Sequence, residues 1–146
     1  MRKISLFLII IFCWGVIFYN NTVFGQQIEE RKNNYYIVAY YFHGNFRCYS
    51  CYRIEQLSKE AIEHYFKNEL DSGKLIFKAI NLEEKGNEHF IQDYQLYTKS
   101  LIISLVKNGK EVEFHNLTRV WEFLGNKQRF FEYVRDEVSK YLKELE

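Results

Sequence analysis

Two cysteines stand three residues apart where a strand pattern gives way to a helix pattern, and this junction limits the folds open to the chain. Residues 35–42 (YYIVAYYF) form an uncharged, largely aromatic and β-branched run, typical of a strand buried on both faces. Downstream, a stripe recurs at helical spacing, at Cys51, Ile54, Ser58, Ala61, Ile62, Tyr65 and Phe66. Cys48 and Cys51 are therefore predicted to open a helix that follows a buried strand, in an α/β fold.

The start of a helix changes the chemistry of a cysteine. Cys48 is expected just beyond the first turn, where unpaired N–H groups and the positive end of the helix stabilise a thiolate. Arg47 precedes it and adds positive charge. Cys51, one turn into the helix, is expected to be shielded from solvent. The arrangement predicts that Cys48 is the attacking sulfur and Cys51 the resolving sulfur.

Two other interpretations of the pair stay open. A zinc site needs four ligands, and the remaining candidates, His43, His64, His89 and His115, are not spaced as a second ligand pair. A purely structural disulfide is the other interpretation, but bridging residues three apart closes a very small loop, and loop-closure stabilisation grows with loop length. The spacing favours thiol exchange, and no metal or other cofactor is expected.

Residues 1–25 have the layout of a secretory signal peptide. Two basic residues precede an uncharged apolar run over residues 4–19, polar residues 20–22 follow it, and Gly25 supplies a small residue. A retained membrane anchor is the alternative, although this run of 16 residues is shorter than the about 20 that a spanning helix needs. Cleavage near Gly25 would remove Cys13 and leave the other two cysteines in a compartment where disulfides persist. We expect a periplasmic or secreted protein without stable membrane insertion after cleavage, or else an exported domain on an anchor.

The remainder of the chain is expected to be one domain. Residues 26–34 are a polar lead-in, and residues 35–146 are long enough for a single core but too short for two. The 20 basic and 19 acidic residues give a net charge of +1 without a basic block, which argues against nucleic acid as a partner. The expected partner is a protein that carries a thiol or a disulfide.

Strand and helix patterns alternate through the middle of the chain. Residues 74–82 (KLIFKAINL) are predicted to form a second strand, residues 87–94 a short helix, and residues 101–106 (LIISLV) another buried strand. Asn108 and Gly109 suit a tight hairpin turn whose two central residues need positive φ. The turn leads to residues 111–115 (EVEFH), which are predicted to form a half-exposed edge strand.

The chain is predicted to end with an amphipathic helix. Asn126 is the expected N-cap residue. The apolar stripe of this helix is expected at Phe131, Val134, Val138, Leu142 and Leu145, with Trp121 and Phe123 packed in the short segment before it.

These segments resemble a known fold and a known family. The strand, the CxxC at a helix start, the second βα unit and the hairpin segment KNGKEVEF are similar to the thioredoxin fold in a minimal form. The segments YYFHGNFRCYSC, GNEHFIQDYQLYTKS and NLTRVWEFLGNKQRFFEYV resemble the ArsF-like proteins, a bacterial and archaeal group often labelled as subunits of a nitrophenyl compound nitroreductase. The likeness spans residues 35–142 and implies a three-layer α/β sandwich with a four-stranded mixed sheet and flanking helices.

Two departures from the thioredoxin pattern bear on mechanism. Thioredoxins carry a cis-proline before the third core strand, whereas this chain contains no proline. The matching position falls near Leu101, with Ser100 before it; we expect a trans bond and a substrate-facing loop there. The buried carboxylate of thioredoxins is also missing, because its position falls close to Phe42. His43 is a candidate proton acceptor in its place, although a histidine at a strand end is often a surface residue or a hydrogen-bonded one.

Together these features predict an exported thiol-disulfide oxidoreductase that exchanges electrons with a partner protein through Cys48 and Cys51. The helix end, Arg47 and an absence of competing carboxylates are expected to favour reduced Cys48 and an oxidising poise. The alternative is a non-catalytic thioredoxin-fold subunit that binds a larger redox complex. A thiolate metal carrier is the third, least favoured interpretation.

Overall fold

The computed structural model describes residues 34–145. The predicted signal peptide and all but the last residue of the lead-in lie outside the described residues. Within the described part of the chain, none of the helices combines the length and the apolar character needed to cross a membrane. The elements are β1 (Tyr35–His43), α1 (Tyr49–Tyr65), α2 (Lys67–Asp71), β2 (Leu75–Asn81), α3 (His89–Asp93), β3 (Ser100–Lys107), β4 (Lys110–Asn116), a 3-10 turn (Thr118–Val120) and α4 (Lys127–Lys143).

The four strands form one mixed sheet in the order β2-β1-β3-β4. β1 and β2 run parallel, and α1 and α2 lie between them in the chain, as a parallel crossover requires. β3 runs antiparallel to both β1 and β4. The predicted strands and the short helix before β3 are confirmed, whereas α2 was not predicted.

Helices cover both faces of this sheet. On one face, the odd-numbered residues Ile37, Ala39 and Tyr41 of β1 join the main core with the buried residues of α1 and α4. On the other face, Phe42 and Ile102 pack with residues of α3 and of the segment that follows it. The chain is therefore an α/β three-layer arrangement with a four-stranded mixed sheet, which is the predicted fold class.

The hairpin between β3 and β4 has the predicted turn. Asn108 has φ of 53° and Gly109 has φ of 74°, so both central residues lie in the left-handed region. β4 is an edge strand, as predicted, but the prediction of a half-exposed strand is wrong. Its side chains are exposed along the strand as far as the partly buried Asn116.

The C-terminal helix is in the predicted place but turned slightly. The Asn126 side chain accepts a hydrogen bond from the backbone N–H of Arg129 at 3.1 Å, which confirms the cap. Phe131, predicted for the apolar stripe, is only partly buried, whereas its neighbour Phe130 is fully buried. The fully or nearly buried residues are Phe130, Val134, Val138 and Tyr141. The predicted stripe and the observed buried set both fit a period of 3.6 residues, and packing of the helix against α1 selects the observed one.

Candidate functional site

The cysteine pair begins the first helix. Cys48 is the N-cap residue of α1, with an extended backbone (φ −82°, ψ 169°), and its sulfur is bonded to that of Cys51. The Cys48 sulfur accepts from the backbone N–H of Cys51 at 3.3 Å, and the Cys51 sulfur accepts from that of Cys48 at 3.1 Å. The two cysteines therefore satisfy N–H groups that a helix start leaves unpaired.

The two sulfurs differ in access to solvent. Cys48 is exposed to solvent, whereas Cys51 is only 1% exposed and lies in the core. The first turn of α1 contains no acidic residue, so no carboxylate there opposes a negative charge on Cys48. The positive end of the helix thus faces the accessible sulfur, where it favours the thiolate.

Arg47 is bound to a carboxylate that the sequence analysis overlooked. Its guanidinium forms an ion pair with Glu55 in the second turn of α1, and their side chains are 15% and 28% exposed. The guanidinium carbon also lies 4.2 Å from the ring centroid of Tyr52. The expectation that no carboxylate competes for Arg47 is wrong, because the helix turns Glu55 back toward the residue that precedes the pair.

Tyr41 is the residue of β1 that faces the pair. It is fully buried, and its hydroxyl donates a 2.6 Å hydrogen bond to the backbone carbonyl of Cys51. Burial raises the pKa of Tyr41 to about 12, against the lowering effect of the Arg47 guanidinium. Phe42, expected near the position of the missing carboxylate, points to the opposite face of the sheet. The period of two along β1 already placed Tyr41 and Phe42 on opposite faces, but only the position of α1 shows which face holds the pair.

His43 ends β1 on the same face as Tyr41. Its ring centroid is 6.0 Å from that of Tyr41, and its Nδ1 lies 3.0 Å from the carbonyl oxygen of Gly44. His43 also lines an open groove of about 150 Å³, together with Tyr97, Lys99 and other residues from the ends of β1 and β2 and the segment before β3. The role of His43 as a proton acceptor stays a prediction.

Ser100 and Leu101 do not form a loop. They begin β3, opposite Phe42 and Tyr41 respectively, and are 4% and 0% exposed. The prediction of a substrate-facing loop at these two residues therefore needs a correction, since their side chains belong to the core. The exposed residues beside the groove are Tyr97 and Thr98, just before them. Within residues 34–145 the peptide bonds are all trans, as expected for the bond before Leu101.

A polar clasp formed by Asn45, Asn81 and Glu83 fixes the loop that leads from β1 to the pair. The Glu83 carboxylate accepts from both the backbone N–H and the side-chain amide of Asn45, each at 2.8 Å. The Asn81 amide donates to the side-chain oxygen of Asn45, also at 2.8 Å. Gly44 has no Cβ, and one built there would collide with the Glu83 carboxylate. The clasp therefore joins the segments that follow the two parallel strands.

Three exposed aromatic side chains flank the pair along the chain. Phe46, Tyr49 and Tyr52 are 79%, 83% and 56% exposed. Side chains of this size are usually buried, and a group of them in the open is typical of a surface that contacts another molecule. The accessible sulfur of Cys48 therefore lies in an aromatic stretch of the surface.

The described residues do not group as a metal site. Among residues 34–145, no set of three or more His, Cys, Asp or Glu side chains is placed to hold a metal ion. The Nδ1 atom of His89 lies 2.6 Å from a carboxylate oxygen of Asp93, one turn along α3. His115 lies 4.0 Å from a carboxylate oxygen of Glu137. Each of these two histidines therefore has one carboxylate beside it.

Comparison with known proteins gives structural likeness alone. No family model matches the chain, and no curated protein matches it. Oxidized thioredoxin O2 of Arabidopsis thaliana is 14% identical, with 66% of this chain and 76% of that chain covered and a TM-score of 0.39. Fasciola hepatica thioredoxin is 19% identical, with 63% and 81% covered and a TM-score of 0.37. Thioredoxin f2 of Chlamydomonas reinhardtii is 14% identical, with 68% and 84% covered and a TM-score of 0.35. The fold class rests on the sheet order and the helix layers described above.

Proposed function

We propose that this chain is a thiol-disulfide oxidoreductase in which Cys48 attacks and Cys51 resolves. The proposal rests on the difference in solvent exposure between the two cysteines of the disulfide. Cys48 is exposed at the N-cap of α1, whereas Cys51 is buried one turn later. A partner can reach one sulfur only, so the order of the exchange steps follows from access.

The proposed reaction transfers two electrons without a bound cofactor. A partner thiolate attacks the Cys48 sulfur and forms a disulfide with it. The bond between Cys48 and Cys51 breaks, and Cys51 leaves as a thiolate that takes up a proton. A second thiolate of the partner then attacks the first partner sulfur and releases Cys48. The partner dithiol is thereby oxidised to a disulfide, and the cysteine pair is reduced to two thiols. The reverse sequence reduces a partner disulfide.

The helix end supports an oxidising direction. Because the N-terminus of α1 favours a thiolate at Cys48, it stabilises the reduced form of the pair. Arg47 contributes less than its position in the sequence implies, since Glu55 offsets its charge. We therefore expect the pair to be more oxidising than thioredoxin, whose potential is about −270 mV.

We also propose where the protein acts and what kind of partner it meets. The layout of residues 1–25 supports export to the periplasm or the exterior, with a membrane-anchored form as the alternative. The exposed Phe46, Tyr49 and Tyr52 support a protein partner with an apolar surface around its thiol or disulfide. Membership of the ArsF-like group is proposed on the three segments quoted above, and nitro-compound reduction is not part of the proposal. N-terminal sequencing of the exported protein tests cleavage, with Gln26 as the expected first residue.

A redox titration tests the activity. Full-length protein with Cys13→Ser, so that only the pair reacts, is equilibrated in glutathione buffers, and free thiols are trapped by alkylation. We expect a reversible two-electron couple with a midpoint above about −270 mV. In a Cys51→Ser variant, alkylation of Cys48 is expected to have an acidic midpoint. A pair that stays oxidised under strong reductant, or a Cys48 with ordinary thiol reactivity, would contradict the proposal.

A binding subunit is the second candidate. The exposed aromatic residues Phe46, Tyr49 and Tyr52 favour it, because they suit a stable contact as well as a transient one. This function predicts a lasting complex with a larger redox protein that survives Cys48→Ser. An exchange enzyme predicts instead that a Cys51→Ser variant traps the partner through a disulfide to Cys48.

A further inference from the structure

The sulfur of Cys51 is buried, although it must carry a negative charge during disulfide exchange. In the proposed function, on which this inference rests, Cys51 leaves as a thiolate when the pair is reduced and attacks as a thiolate when the disulfide closes again, although it is 1% exposed. Burial disfavours the charged form of a thiol. The pair therefore needs nearby groups that stabilise the Cys51 thiolate when it forms.

Tyr41, Arg47 and Glu55 form a largely buried cluster on this side of the helix. The Tyr41 hydroxyl donates to the Cys51 carbonyl at 2.6 Å. The guanidinium carbon of Arg47 lies 5.9 Å from the Tyr41 ring centroid, and Glu55 is ion-paired to that guanidinium. Tyr41 thus links the backbone of Cys51 to the Arg47–Glu55 ion pair.

We propose that this cluster, rather than His43, sets how readily Cys51 loses its proton, with Tyr41 as a positioning residue. The Arg47 guanidinium carbon lies 5.9 Å from the Tyr41 ring centroid, and its positive charge acts on the Tyr41 hydroxyl. The hydroxyl in turn donates to the backbone carbonyl of Cys51, so the positive end of the O–H dipole points at the first turn of α1. Glu55 offsets part of that charge and thereby tunes the effect.

Other charged and titratable groups lie near the cluster. His43 lies beside Tyr41 on β1, and the Tyr52 ring lies under the Arg47 guanidinium. Lys59 and Glu63, which are ion-paired, line a groove between α1 and β2 together with Glu55. β2 contributes Phe77 and Ala79 to that groove, which are apolar. β3 places the apolar Leu101 opposite Tyr41. The contact of α4 with α1 includes an exposed ion pair between Lys127 and Glu60.

The step under test is the closing of the disulfide. Reduced protein reacts with 5,5′-dithiobis(2-nitrobenzoic acid): the Cys48 thiolate forms a mixed disulfide and releases one aryl thiolate. The Cys51 thiol then loses its proton to solvent or buffer and attacks the Cys48 sulfur, which releases the second aryl thiolate. The pH dependence of the first release reports on Cys48, and that of the second reports on Cys51.

Two charge variants are expected to move the second release in opposite directions. Glu55→Gln leaves the Arg47 charge unopposed, so the midpoint pH of the second release should fall by roughly half to one unit. Arg47→Gln leaves Glu55 without its cation, so that midpoint should rise by a similar amount. Arg47→Lys keeps the charge and should restore most of the shift.

Tyr41→Phe tests the link between the ion pair and Cys51. It should raise the midpoint of the second release, and it should shrink the shift that Glu55→Gln causes when the two are combined. Tyr40→Phe is the matched control, because it removes a hydroxyl from the neighbouring residue of β1, which packs on the opposite face. All variants carry Cys13→Ser in the full-length chain.

The outcomes separate this inference from the proposed function. If the Cys13→Ser parent protein releases a single aryl thiolate, the exchange function itself fails. If it releases two, but the charge variants shift the second midpoint in the same direction or shift the first release alone, only the role of the cluster is overturned. His43→Gln should leave the second midpoint in place, and a larger shift there than in Tyr41→Phe would assign the role to His43 instead. Should Arg47→Gln fail to fold, Glu55→Gln and Tyr41→Phe decide the matter.

Discussion

Glu83→Gln should loosen the loop that leads to the cysteine pair. The Glu83 carboxylate accepts two 2.8 Å hydrogen bonds from Asn45, one from its backbone N–H and one from its side-chain amide. Glutamine has the same size but carries a single acceptor oxygen and no charge. One of the two Asn45 donors therefore loses its partner, and the other bond weakens.

The expected cost can be worked from these two bonds. Hydrogen bonds to charged groups contribute about 1.5 to 3 kcal/mol and neutral ones about 0.5 to 1.5 kcal/mol, with the lower values fitting an exposed site. At the lower values, two charged bonds of about 1.5 kcal/mol each are replaced by one neutral bond of about 0.5 kcal/mol, so the substitution should cost about 2.5 kcal/mol of local stability. Since about 1.4 kcal/mol is tenfold in an equilibrium constant, local opening should become roughly sixtyfold more frequent.

Amide hydrogen exchange at Asn45 measures this opening directly, because the backbone N–H of Asn45 is itself a donor to Glu83. We expect exchange at Asn45 to accelerate roughly sixtyfold in Glu83→Gln. Glu84→Gln is the matched control. It removes the same charge one residue away, where the contact to the clasp is made by the backbone N–H of Glu84 and not by its carboxylate. Equal acceleration in both variants, or none in Glu83→Gln, would refute the role of the clasp.

Three further predictions test the fold and its pH dependence by urea denaturation. Gly109→Ala should cost about 1 to 2 kcal/mol because its φ is +74° while no atom obstructs a Cβ, whereas Gly125→Ala, equally unobstructed, should be near neutral. Phe130→Ala should cost about 3 to 5 kcal/mol and Phe131→Ala clearly less, and equal costs would mean that the helix is turned differently. The folded-state pKa of Tyr41, about 12 against 10.0 normally, means that its contribution to stability is complete below pH 10 and lost as the pH rises toward 12; Tyr41→Phe should flatten that loss, and an unchanged slope would argue against it.

Local patterns in the sequence were enough to predict the four strands and the helices α1, α3 and α4. The uncharged run of β1, the alternation of strands and helices, the turn at Asn108 and Gly109 and the cap at Asn126 all depend on residues close together in the chain. The exposed and buried positions of Cys48 and Cys51 followed from helix geometry alone, since one turn separates them. These features were predictable because their physical causes act within about one turn of helix or one hairpin.

The surroundings of the pair depended on contacts between distant residues. Asn45 meets Glu83 across 38 residues, and Tyr41 meets the carbonyl of Cys51 only because α1 packs on that face of β1. Hydrophobic periodicity shows which residues share a face but not which element covers that face. The sequence analysis therefore compared the position of the missing carboxylate with Phe42, which faces away from the pair. It did not identify Glu55, which is paired with Arg47. Local patterns were thus sufficient to place the two cysteines at the start of a helix, and the packing of α1 against the sheet selects the side chains that surround them.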